Sequence, residues 1–166
     1  MELKVGDKAP NFHLQGDDSK SHSLHSQKDQ YTVLYFYPKD LTPGCTTESC
    51  EFSGLFDDFQ KEGARIFGIS KDDLPSHNRF KSKYGLQFTL LSDPDLSTHK
   101  AYGAYGEKTL YGKTSLGVLR TTYLLDADKK IIKIWKKVRV KDHAQTVFDT
   151  VRKLNSTEPA PKKTKK

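Results

Sequence analysis

One run of residues limits the folds open to this chain. Tyr31-Thr32-Val33-Leu34-Tyr35-Phe36-Tyr37 is β-branched and aromatic, with little alternation. A strand buried on both faces has that pattern. The run stops at Pro38 and passes through Lys39-Asp40-Leu41-Thr42-Pro43-Gly44. Phe52, Leu55, Phe56 and Phe59 then follow at helical spacing and form one apolar stripe. Gly63 is placed to end that helix. Ala64 to Ser70 reads as a second buried strand. A strand, a helix and a second strand in one sheet demand a right-handed parallel crossover.

The rest of the chain extends this unit. Asn11 to Leu14 and Ser21 to Leu24 read as an N-terminal hairpin around Gly16-Asp17-Asp18-Ser19. Leu74 to Tyr84 reads as a helix that stops at Gly85. Phe88 to Leu91 reads as a short strand and Asp95 to Tyr102 as a short helix. Gly103 to Gly117, rich in Gly, Tyr and Lys, reads as a loop. Arg120 to Leu125 and Lys130 to Val138 form an antiparallel pair. A last helix starts at Asp142, with Gln145 at capping-box spacing. The expected fold is α/β: a central mixed sheet with helices on both faces and an N-terminal β-hairpin extension.

Composition narrows the class. The chain has 166 residues, one domain's worth, with 34% hydrophobic and 11% aromatic residues. Its longest apolar run, Val33 to Tyr37, falls far short of the ~20 residues a membrane span needs. The N-terminus shows no signal-peptide pattern. The formal net charge is +7, and part of it belongs to the end of the chain. Residues 155–166 carry Lys162, Lys163, Lys165 and Lys166 against Glu158, with Pro159 and Pro161. Residues 1–154 are therefore expected to form the domain, and 155–166 a disordered Lys-rich tail. Such a tail can draw nucleic acid or serve as a nuclear address, but its expected role is a solubilising terminus. The body lacks a basic-aromatic stripe, which argues against nucleic acid as the main partner. The expected location is the cytoplasm, where a cysteine pair is more often redox-active than structural.

The chemistry gathers where the first buried strand meets its helix. Cys45 opens that helix, and sites in open α/β sheets form at the carboxyl ends of strands. The free N–H groups and positive dipole end of a helix favour a thiolate over a thiol. Thr42 places a hydroxyl three residues upstream, within reach of the sulfur or of a bound oxidant. Taken by itself, Cys45 reads equally as a small buried hydrophobe. His22 and His25 lie in a polar loop and make a weak zinc pair.

The segment Pro38-Lys39-Asp40-Leu41-Thr42-Pro43-Gly44-Cys45 resembles the Pro-x-x-x-Thr-x-x-Cys signature of peroxiredoxins. Thr46-Thr47-Glu48-Ser49-Cys50 resembles the bacterioferritin comigratory protein, or peroxiredoxin Q, subgroup. The lead-in Val5 to Phe12, the loop Ser92-Asp93-Pro94 and the segment Arg120 to Asp126 resemble further family patterns. Together they cover roughly residues 3 to 154. Ser49 stands where Ala is commoner, and Ser53-Gly54 where a charged pair is commoner.

The resemblance implies a thioredoxin-like fold and a thiol-dependent peroxidase. It implies Cys45 as the peroxidatic cysteine, Pro38 as its shield, and Thr42 and Arg120 as the groups that orient the peroxide. Glu48 matches an acidic position and is expected to orient Arg120. Cys50 matches the resolving position. Without the family, Arg120 would read as a surface cation on an edge strand. The substrates implied are hydrogen peroxide and organic hydroperoxides. Thioredoxin is the implied reductant, with glutaredoxin or a glutathione route left open. No cofactor or metal is implied, and the chain is expected to be monomeric.

Geometry constrains the cysteine pair. Five residues along a helix separate Cα atoms by ~8.6 Å, beyond the ~7 Å limit for a disulfide. Joining Cys45 to Cys50 therefore requires the first helical turns to unwind. The alternative is a buried Cys50 thiol, with an external thiol resolving Cys45. Two other readings compete. A thioredoxin-like disulfide reductase lacks its Cys-x-x-Cys motif here. A redox-inactive binding module would act through the basic tail.

Overall fold

A computed structural model describes residues 2–157. The buried run forms β3 (Tyr31–Phe36), every residue of it buried. It pairs in parallel with β4 (Ala64–Ser70), and β4 pairs in parallel with β5 (Thr89–Ser92). Between β3 and β4 run α1 (Pro43–Gly54) and α2 (Phe56–Lys61). Between β4 and β5 runs α3 (Leu74–Tyr84). The hairpin of β1 (His13–Gly16) and β2 (Ser21–Ser23) adds antiparallel to β5. On the other side β8 (Thr121–Leu125) pairs antiparallel with β3, and β9 (Ile131–Lys136) with β8. The result is a seven-stranded mixed sheet, ordered β2-β1-β5-β4-β3-β8-β9.

Strand alternation divides the core. Tyr31, Val33, Tyr35 and Tyr37 face one cluster with Phe52, Phe59, Phe80, Val147 and Val151. Leu34 and Phe36 face a second cluster with Phe12, Phe67, Tyr102 and Tyr123. The first cluster lies under α1, α2, α3 and α5 (His143–Thr157). The second is covered partly by α4 (Ser97–Ala101), whose His99 ring meets Phe36 at 5.0 Å. Tyr35 stacks on Phe52 at 4.7 Å, and its cross-strand partner is Gly68. A Cβ on Gly68 would meet the Tyr35 ring at 2.7 Å, so only glycine admits the ring there.

Four expectations need correction. The stripe from Phe52 to Phe59 is two helices rather than one. Leu55, at φ −103° and ψ 8°, breaks it. Its N–H closes a tight turn to the Phe52 carbonyl, and Gln87 grips Ser53, two residues earlier: the Gln87 side chain donates to Ser53 O at 2.9 Å and its backbone N–H to Ser53 Oγ at 3.1 Å. Gly54, a weak helix former, sits at the break.

The stretch expected as a loop is instead a second sheet of β6 (Tyr105–Leu110) and β7 (Lys113–Val118). Tyr111 and Gly112 both take positive φ, as a two-residue primed hairpin turn requires. Tyr-Gly is a poor advertisement for that turn.

At the last helix, Asp142 has φ +61°, and the Gln145 amide bonds Asp149 Oδ1 instead of closing a capping box. The domain boundary expected at 154 falls inside α5. Asn155 is anchored there, its amide donating to Glu62 O at 3.0 Å and accepting from Gln30 Nε2 at 3.0 Å. Residues 158–166, most of the expected tail, lie outside the described residues. Among the described residues, no helix is long and apolar enough to cross a membrane.

Candidate active site

The chain leaves β3 at Phe36, crosses Pro38 and Asp40, and turns at Leu41, whose φ is +65°. Thr42 is the extended N-cap of α1 and Pro43 its first residue. The first bond into the helix runs from Thr46 N–H to Thr42 O at 2.8 Å. The Gly44 and Cys45 N–H groups precede it, so the helix does not use them. They and the helix dipole present positive potential beside the Cys45 sulfur.

Cys45 is buried, at 1% exposure, and belongs to the first core cluster. Arg120, just ahead of β8, reaches it from across the sheet. Its Nη2 donates to Cys45 Sγ at 3.4 Å and its Nη1 to Glu48 Oε1 at 2.6 Å. Gly44 lies under the guanidinium; a Cβ there would stand 3.4 Å from Nη2. Because β8 runs between β3 and β9, Arg120 is no edge-strand surface cation. Cys45, Glu48 and Arg120 are thus brought together from segments remote in sequence.

The electrostatics of the pair are unequal. Burial pushes the Glu48 carboxyl up to about 7, with Arg120 pulling the other way and Glu51 adding to the rise. Among the described residues, Glu48 Oε2 has no hydrogen-bond partner. Burial works against the Arg120 charge, but Glu48 and Cys45 outweigh it and hold its pKa above the ordinary value. A guanidinium stays charged at any working pH, which suits a fixed electrophilic partner.

The remaining expected residues are placed less directly. Thr42 Oγ1 donates to Lys39 O at 2.7 Å and not to the cysteine sulfur. Its proton is therefore committed, and its lone pairs are left to accept. Pro38 is half-buried at the end of the strand. Cys50 lies in the same helix as Cys45, half-buried against the first core cluster. Burial alone pushes its thiol up. Both cysteines are free thiols. His22 belongs to β2, not to a loop, and bonds Asp18 Oδ2 at 2.9 Å.

Sequence reasoning missed three residues around the site. His143 accepts from or donates to Thr122 Oγ1 at 2.8 Å, between the rings of Phe52 and Trp135. Burial, then the Arg120 charge, pushes it down to about 4, so it backs the site as a neutral ring. Asp40 and His77 form a buried contact under the loop. Asp40 lies inside the motif, but nothing near it in sequence announces its partner.

This constellation belongs to an α/β protein with a thiol at the mouth of a strand–helix junction, held against a guanidinium. Comparison with known proteins takes the assignment further. Residues 5–134 match the AhpC/TSA family. The chain is 40% identical to peroxiredoxin Bcp of Bacillus subtilis, over 93% of this chain and 99% of that protein. It superposes on PrxQ of Xylella fastidiosa with a TM-score of 0.87 at 34% identity, over 93% of this chain and 99% of the other. For the bacterioferritin comigratory protein of Xanthomonas campestris the TM-score is 0.82 at 38% identity, over 86% and 91%. The chain belongs to the AhpC/TSA family and is a peroxiredoxin with Bcp and PrxQ relatives, a peroxidase of thioredoxin-like fold.

Proposed function

We propose that the chain reduces hydrogen peroxide and organic hydroperoxides at Cys45, and that Cys50 resolves the product as an intramolecular disulfide. A thioredoxin-type dithiol protein then reduces that disulfide, with glutaredoxin as the alternative. The observation that carries the reading is the Arg120 guanidinium, which spans Cys45 Sγ and Glu48 Oε1 at the start of α1. Alkyl peroxide reduction is described for the Xanthomonas campestris relative, which supports organic hydroperoxides as substrates.

The Cys45 thiolate attacks one peroxide oxygen, and the O–O bond breaks. The second oxygen takes up a proton and leaves as water or alcohol, while the sulfur becomes a sulfenic acid. Negative charge grows on the leaving oxygen, and fixed donors aimed at it lower the barrier. Arg120 and the free N–H groups of Gly44 and Cys45 supply them. The lone pairs of Thr42 accept the peroxide's own O–H, which fixes which oxygen meets the sulfur. Glu48 holds the guanidinium in place. Pro38 walls the site from bulk water.

The Cys50 thiol then gives up its proton and its sulfur attacks Cys45 Sγ; the S–O bond breaks and the leaving hydroxide takes up a proton to depart as water. The intact helix keeps the two sulfurs apart, so α1 unwinds locally. Thr46, Thr47 and Ser49 are indifferent helix formers and ease that step. The cycle needs a reducing compartment, and we place it in the cytoplasm, with the chain acting as a monomer.

Intact-mass spectrometry after one equivalent of hydrogen peroxide tests this reading. Loss of two hydrogens in the wild type, with an oxygen adduct in Cys50→Ser, is the expected result. No reaction within seconds would overturn the peroxidase chemistry. A wild-type oxygen adduct without a disulfide would move the resolving thiol elsewhere.

A further inference from the structure

Under the loop that carries Thr42 lies a buried polar network that the chemistry above does not use. Asp40 and His77 are its centre, with side chains 1% and 0% exposed. Asp40 Oδ1 accepts from Tyr37 OH at 2.6 Å, and Asp40 Oδ2 accepts from Ser76 Oγ at 2.8 Å. His77 Nδ1 stands 2.7 Å from Asp40 Oδ2, and His77 Nε2 stands 2.9 Å from the Leu91 carbonyl.

The partners decide the protonation of this ring. A backbone carbonyl only accepts, so Nε2 carries a hydrogen. Asp40 already receives two hydroxyl donors, the arrangement of an ionised carboxylate, so Nδ1 carries a hydrogen as well. His77 with two N–H groups is a cation, paired with Asp40 inside the protein. His99 makes the contrast. It pairs with Asp93 at 2.6 Å through Nδ1, but its Nε2 has no partner among the described residues.

We propose that His77 is a positioning residue of the peroxidatic loop, and that its protonated ring, by tying Asp40 to the Leu91 carbonyl of β5, holds Thr42 and Cys45 in register. The proposal rests on the peroxidase reading. Asp40 is two residues ahead of Thr42, and its own N–H donates to Asp72 Oδ2 at 2.8 Å. Asp72 also accepts from Ser70 Oγ at 2.7 Å. The loop is therefore fixed to β4, α3 and β5 through one residue. When His77 loses its second proton, one of its two acceptors must lose its donor. The loop is then released on that side.

The neighbours set the direction. From the β3–α1 loop Asp40 and Tyr37 face the pair, and from the β4–α3 loop Asp72. On α3 itself, Asp73 caps the helix through Ser76 N–H, and Lys81 is turned to Asp17. Burial disfavours the ring's charge, but Asp40, Leu91 and Asp72 outweigh it and raise the His77 pKa. The raised value means the native ring keeps its second proton through the ordinary histidine range, and the tie is lost only as pH rises through the native value.

The test is the pH profile of the second-order rate constant for Cys45 oxidation by hydrogen peroxide. The wild type should lose rate on the alkaline side. His77→Leu should be slower by about tenfold or more at neutral pH, since small misplacements of reacting groups cost that much. Its alkaline fall should be absent. Asp40→Asn is the second variant. Its amide can donate to Nδ1 of a neutral His77 while Nε2 keeps Leu91, so the network no longer needs the extra proton. Its scaled profile should be flat where the wild type falls.

Nitrogen NMR of the wild type should show both ring nitrogens of His77 protonated at neutral pH. A neutral ring there would overturn the proposal. So would a wild-type alkaline fall that persists unchanged in Asp40→Asn, the variant to rely on if His77→Leu does not fold. A wild type inert to hydroperoxide at every pH would instead overturn the peroxidase reading itself.

Discussion

Cys45 and Cys50 share one helix and one side-chain chemistry, yet their surroundings differ in kind. Cys45 is buried against a guanidinium at the helix's first turn. Cys50 is half-buried against aromatic and aliphatic side chains, and burial pushes its thiol up. The first setting places a cationic donor beside the sulfur, and the second offers the thiol only apolar contact. On one helix, then, the two thiols differ in what faces them, which is the difference the proposed cycle uses. The lesson is that two cysteines of one motif can differ in the charges they face, which the motif alone does not show.

The comparison can be broken first at its centre. Cys45→Ser should lower the peroxide rate by at least ~1,000-fold, because the nucleophile itself is gone. Competition kinetics against a second peroxidase measures it. Residual activity carried by Cys50 would reverse the assignment. Arg120→Met should lower the same rate by ~100-fold, the cost of removing one fixed donor from a developing oxyanion. An unchanged rate would leave the helix N–H groups as the whole electrostatic device.

Glu48 sharpens the contrast through pH. Burial raises its carboxyl in the folded state from 4.5 to about 7. The native state therefore holds the proton more tightly than the unfolded chain. Its contribution is fully present below the unfolded value and is lost as pH rises from about 4.5 to about 7. Glu48→Gln should remove up to ~3 kcal/mol of that decline, set by ~1.4 kcal/mol per pKa unit. Denaturant unfolding of both proteins across that window reads it, and parallel curves would count against a buried, titrating Glu48. The smallest effect belongs to Cys50→Ser. It should leave the rate of first oxidation within about twofold, since Cys50 does not contact the attacking sulfur's donors. Only resolution should fail, seen as a persistent sulfenic acid.

Legibility in the sequence followed range. Leu74 to Tyr84 was readable to the residue, because Gly85 takes φ +64° as a helix-ending glycine should. The buried strands β3 and β4 were readable because continuous β-branched and aromatic runs have few alternatives. The β6–β7 hairpin was not, since its turn relies on Tyr111 in a left-handed conformation that tyrosine rarely advertises. The break at Leu55 was hidden because its cause, Gln87, is remote in sequence. In the site, Cys45, Glu48 and Arg120 were legible as a motif and were found in contact. The Thr42 hydroxyl was expected within reach of the sulfur or of a bound oxidant, and its proton is found on Lys39 O. The charge on His77 could not be read at all, because only its partners decide it.

The grip of Gln87 on Ser53, with the break that follows it, divides α1 from the helix beyond. In the proposed cycle that junction acts as a bulkhead. Unwinding that begins at Cys45 can run through residues 43–52 and meets a stop before Phe59 and α2 are disturbed. Each turnover then melts and rebuilds one short segment while the sheet and the second core stay assembled. A catalyst that must partly unfold to finish its reaction can in this way do so repeatedly without exposing the rest of itself to aggregation.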